Sequence, residues 1–165
     1  MSVWTQVIRK AGRLEAMEVA MLPARAALGA SMIYHGLGKL RAPEPTGQYF
    51  ESLGIRPGKP WALATGLAEL TSGVLTVAGV GTRLASLMVL VTQARAIDKV
   101  HKSKGYDISK GGFEYNLALI AIALGMLVAG PGKPSVKSML AHRFARRRRL
   151  PLVRSREPLA VRVLQ

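Results

Sequence analysis

Apolar positions gather into four long stretches, roughly Pro23 to Leu40, Trp61 to Val80, Thr82 to Ile97 and Phe113 to Gly130, separated by segments rich in glycine, proline and basic residues. The stretch from Tyr115 to Gly132 is uncharged. Its Leu, Ile, Ala and Met occur on every side, which leaves no polar face to meet water. A hydrocarbon layer of ~30 Å needs ~20 apolar residues per helix. The second stretch is long enough but contains Glu69, while Arg25 and Lys39 bracket the first and Arg83 and Arg95 the third. Long basic side chains at helix ends reach the headgroups and lengthen a short span. The pattern predicts an all-α membrane protein, a bundle of four transmembrane helices. A soluble helical bundle is the competing reading, because short uncharged runs also occur in buried core helices.

Ahead of the first stretch, Trp4, Val7, Ile8, Ala11, Leu14, Met17 and Met21 recur at helical spacing, with Arg9, Lys10 and Arg13 between them. This predicts an amphipathic helix over residues 1–21 lying in the membrane interface, the alternative being an ordinary surface helix packed on its own bundle. Glu15 and Glu18 precede any apolar run, unlike a signal peptide, so the segment is expected to be retained. Residues 137–165 form a basic tail that includes Arg146, Arg147, Arg148 and Arg149. Beside a membrane helix such a cluster is expected to contact anionic lipid headgroups. Nucleic acid is not the expected partner, because no aromatic residue follows Phe144 to stack on bases.

Charge orients the bundle. Of 24 Lys and Arg, fifteen fall in the two ends and the Gly79–Arg83 turn, and nine in the two loops on the other side. Basic residues concentrate on the cytoplasmic side, so both termini are expected there, in a multi-pass protein of the bacterial plasma membrane. With no cysteine and with His35, His101 and His142 far apart, no metal centre or thiol chemistry is expected. Gly130-Pro131-Gly132-Lys133-Pro134-Ser135 lacks the first glycine of a phosphate loop and reads as a helix stop.

Glu69 is the most informative single position. A carboxylate in mid-span costs on the order of 3 kcal/mol and turns toward the bundle interior. Thr65, Glu69, Ser72, Gly73 and Thr76 share one face, as do Arg25, Gly29, Met32, Gly36 and Lys39 on the first helix, with His35 one turn before Lys39. Arg83, Ser86, Leu90 and Gln93 align on the third helix, and Glu114, Ala118, Ala121 and Gly125 on the fourth, where small residues suggest close helix contact. A buried cluster of Glu69, Glu114, Arg25 and Arg83 is geometrically allowed. Such charges either fix helix register or bind a quinone or headgroup. Tyr34, Trp61, Tyr106 and Tyr115, near span ends, are expected to be interfacial anchors.

In order along the chain stand Arg25 with Leu28-Gly29, Tyr34-His35-Gly36 with Lys39-Leu40, Leu67-Ala68-Glu69-Leu70, Gly81-Thr82-Arg83, Gly112-Phe113-Glu114-Tyr115-Asn116-Leu117 and Gly130-Pro131-Gly132 with Ser135. This order and spacing, over residues 22–136, resembles the DoxX family of small four-helix membrane proteins. Ser135-Val136-Lys137 departs from it, since family members often carry an aspartate soon after the serine. The resemblance implies the four-helix topology. It also implies a redox setting, because some relatives are membrane subunits of a thiosulfate:quinone oxidoreductase. The candidate ligand- or quinone-binding residues are then Glu69, Arg25, His35, Lys39, Arg83, Gln93 and Glu114. The expected function is an integral membrane subunit of a quinone-linked redox system with a polar pocket in its bundle, working with protein partners in a membrane complex. The alternative is a non-catalytic accessory subunit that binds lipid and partner helices.

Overall fold

The computed structural model describes residues 3–133, 135, 136 and 138, and of residues 3–18 the helical backbone alone. Among them are five α-helices and no strand: α1 (Val3–Arg41), α2 (Pro43–Ser52), α3 (Gly58–Ala78), α4 (Thr82–Ala96) and α5 (Glu114–Ala129). A π turn at Ile97–His101 and two short 3₁₀ turns connect α4 to α5. The four expected helices are present with nearly the expected bounds. The first is longer, because the helical backbone continues from residue 3 through Pro23 to Arg41. The apolar face of Trp4 to Met17 and the tail arginines Arg146 to Arg149 lie outside the described side chains.

The α3–α4 turn is tight because Gly79 and Gly81 take left-handed backbone angles, φ 68° and 56°. Val80 N–H donates to the Leu75 carbonyl (3.1 Å), which closes the end of α3 in the usual glycine-stop manner. Helix α2 was not expected. Pro43, Pro45 and Gly47 read as a loop, yet both prolines fall in the first turn, where a missing N–H is harmless. Lys59–Glu44 and a Gly58 N–H bond to Glu51 (3.0 Å) fasten α2 to the start of α3.

Helices α1 and α3 run antiparallel and meet through two glycine pairs. Gly29 faces Gly73, and Gly36 faces Gly66, each pair two turns from the other. A Cβ on Gly36 would lie 2.5 Å from the Leu70 nitrogen and 2.8 Å from the Gly66 oxygen. One on Gly73 would lie 2.8 Å from the Gly29 oxygen. Backbone therefore touches backbone, the close approach that small residues permit. On the other side of α1, Leu28 and Met32 pack with Val89 of α4 and with Leu119, Ala123 and Met126 of α5.

Most of the expected inward faces of α1 and α3 are inward: Arg25, Gly29, Met32 and Gly36 are buried, as are Glu69, Ser72, Gly73 and Thr76, while Lys39 and Thr65 are half-buried. The face expected for α5 is wrong. Ala118, Ala121 and Gly125 are exposed, and Asn116, Leu119, Ala123 and Met126 are buried instead. Because α5 is apolar all round, its outline carries no periodic contrast to read. Among the described residues α3 is the helix both long and apolar enough to cross a membrane, and α5 is a shorter apolar helix. The outward faces are apolar too, as at Val74, Leu84, Val91, Leu124 and Val128, the last 83% exposed.

Candidate functional site

The antiparallel register of α1 and α3 sets residue 39 beside residue 69. Lys39 Nζ lies 2.5 Å from Glu69 Oε2, with side chains 22% and 5% exposed. The ammonium also approaches the His35 carbonyl at 3.5 Å. One turn further along α3, the Ser72 hydroxyl donates back to the Glu69 carbonyl (2.9 Å). The pair is thus buried on its acidic side and reaches the surface on its basic side.

Lys39 also lines a cleft of about 380 Å³ at this end of the bundle, with Tyr34, His35, Arg41 and Thr46, and with Leu37 and Gly38 completing the wall. The Tyr34 and His35 rings meet edge to face, centroids 5.5 Å apart. The Tyr115 ring lies 6.3 Å from that of His35, and its hydroxyl donates to Ser31 (2.6 Å). A cleft with an ammonium, an imidazole and aromatic edges can hold a carbonyl or an oxyanion. The carboxylate behind it can accept or return a proton.

The remaining predicted residues lie elsewhere. Arg25, at the opposite end, donates from Nε to the Thr76 carbonyl (3.1 Å) and from its terminal nitrogens to the carbonyls of Val77 (2.5 Å) and Pro131 (3.1 Å). It satisfies the last carbonyls of α3, a structural task for a cation at a helix C-terminus. Gln93 is buried near the end of α4, accepting from Asn116 Nδ2 (2.8 Å) and donating to the Met32 sulfur (3.5 Å). Arg83 is exposed in the first turn of α4. Glu114, the first residue of α5, accepts from the Ile108 N–H (3.1 Å) and so ties the helix start to the connecting loop. The cluster of Glu69, Glu114, Arg25 and Arg83 therefore does not form: Lys39 is the partner of Glu69.

Tyr34, Arg41, Thr46 and Asn116 were not among the candidates. Asn116 had a readable signal, as the lone amide near the start of an uncharged stretch. Arg41 and Thr46 had none, because the segment holding them looked like a loop.

The family model for DoxX matches residues 20–102, which run from the middle of α1 into the turns after α4. A protein of Bacillus subtilis (strain 168) named "Putative oxidoreductase CatD" is 31% identical over 112 residues, covering 68% of this chain and 81% of the relative. No solved structure matches the chain. The DoxX family is membrane-associated. With half its length under the family model and two thirds of it aligned to that relative, this chain belongs to the DoxX family.

Proposed function

We propose that the chain is a four-span membrane protein that serves a quinone-linked redox system, with the cleft over Lys39 and Glu69 as its quinone site. The spans are the second half of α1, then α3, α4 and α5. Apolar residues outward and Arg25, Glu69, Gln93 and Asn116 inward is the arrangement that suits hydrocarbon surroundings. At 15 and 16 residues, α4 and α5 are about 23 Å long, so Arg83 and Arg95 reach outward to the headgroups. Both termini lie on the cytoplasmic side of a bacterial plasma membrane, where the basic tail meets anionic lipid.

The observation that carries the site is the ion pair itself: a carboxylate 5% exposed, bonded to an ammonium that lines a cleft. The cleft falls inside the ~300–1,000 Å³ range of small-molecule sites. A bound quinone supplies a two-electron, two-proton acceptor. Lys39 and His35 would offer donors to its carbonyl, Tyr34 would lie along the ring, and Glu69 would hold or pass the proton. The relative's name points to oxidoreductase chemistry. The chain has no cysteine to carry thiol redox chemistry, and a membrane partner that delivers the electrons completes this reading.

The test is quinone retention by the purified protein. Wild type retains added ubiquinone or menaquinone, and Glu69→Gln, which removes the carboxylate that positions the Lys39 ammonium, loses affinity by about tenfold. If no quinone is retained and Glu69→Gln still co-purifies with a larger membrane complex, the accessory-subunit reading replaces this one.

A further inference from the structure

The cleft has a second chemical feature that a neutral ring would not use. Three carboxylates stand at this end of α1, α2 and α3, and each is engaged: Glu69 by Lys39, Glu44 by Lys59, and Glu51 by the Gly58 N–H. Arg41, on the cleft wall, makes no ion pair or hydrogen bond with any described residue, and no acidic side chain lines the cleft. A guanidinium left over from local pairing is a planar, permanently charged donor set that matches an oxyanion. Complementing the carbonyl end of α1 would be the ordinary task of such a residue, but Lys39 already lies against the His35 carbonyl.

We propose that Arg41, on the cleft wall that His35 also lines, is the seat of the phosphate oxyanion of an anionic ester, a role distinct from that of the Lys39–Glu69 pair. The aromatic residues around it point to a lipid headgroup as the source. Tyr34, Tyr49 and Trp61 are exposed at the same end, on α1, α2 and the first turn of α3, at the depth where aromatic belts meet headgroups. This placement rests on the four-span reading above. It does not depend on quinone.

The experiment uses the full chain in lipid nanodiscs of phosphatidylcholine with a minority of phosphatidylglycerol, and counts the lipids retained by native mass spectrometry. Wild type and Arg56→Gln, a basic residue outside the cleft wall, retain phosphatidylglycerol preferentially. Arg41→Gln loses that preference by about tenfold, and Arg41→Lys restores part of it. The tail arginines are present in every variant and cancel. Displacement by millimolar inorganic phosphate assigns the same seat to a free oxyanion instead of a lipid. Equal retention by Arg41→Gln and Arg56→Gln overturns the proposal. Failure of the membrane reading is a different result, a folded chain that stays soluble without detergent.

Discussion

Two basic residues at opposite ends of one membrane-length stretch of α1 show how differently a cation can be used. Among the described residues, Arg25 donates to backbone carbonyls at the end of α3 and in the loop after α5, and so holds the two together. Lys39 spends its ammonium on one carboxylate beneath a cleft. The difference is testable through what each side chain leaves behind. Lys39→Met strands Glu69, 5% exposed and without its counter-charge, and is expected to destabilise the fold by about 3–5 kcal/mol. Glu69→Leu is milder, because Lys39 is 22% exposed and its long stem can carry the ammonium outward. The double variant Lys39→Met with Glu69→Leu recovers most of the loss, since a buried ion pair exchanged for well-packed apolar groups is often near neutral. Unfolding of the four proteins in one detergent measures the cycle. Additive effects would mean that the two side chains do not interact.

Between elements, what matters most is how closely α1 and α3 approach. Their glycine pairs leave no room for a methyl group, whereas a Cβ on Gly125 of α5 would meet nothing within 4 Å. Gly36→Ala must push backbone from backbone and is expected to lower stability by about 1–3 kcal/mol. Gly125→Ala gains helix propensity and is expected to be neutral or stabilising by up to ~1 kcal/mol. A thermal unfolding series separates the two, and the reverse order would mean that α5, not α3, packs tightly. The same contrast explains which parts of the fold were legible beforehand. On α1 and α3, polar and small residues recur on one stripe, so the inward face could be read. On α5 a stripe of small residues, Ala118, Ala121 and Gly125, suggests contact but is exposed, and Asn116 marks the buried side. Lys39 and Glu69 were both recognisable as costly residues. Pairing them needed the antiparallel register, which sets 39 against 69 and 25 against 76, and neither helix contains that register alone.

At the scale of the whole chain the two ends differ in kind. The C-terminal end of α1, all of α2, the start of α3, the end of α4 and the start of α5 share one end, as the Lys39–Glu69, Tyr115–Ser31 and Asn116–Gln93 contacts require. It carries the cleft, the exposed aromatics and nine of the 24 Lys and Arg. The Gly79–Arg83 turn and the Arg25 cap mark the other end. If the fifteen basic residues of the termini and that turn hold their side in the cytoplasm, the cleft opens away from the cytoplasm. Absence of cysteine allows a direct test with single substitutions at exposed positions: Ser52→Cys in α2, Ser103→Cys in the α4–α5 connection and Val80→Cys in the turn. A membrane-impermeant maleimide should label the first two in intact cells and the third only after permeabilisation. The inverse pattern would keep the bundle and turn it over. Labelling of Ser52→Cys and Ser103→Cys from opposite faces would be incompatible with the bundle, because a membrane would then have to pass between two segments that share one end.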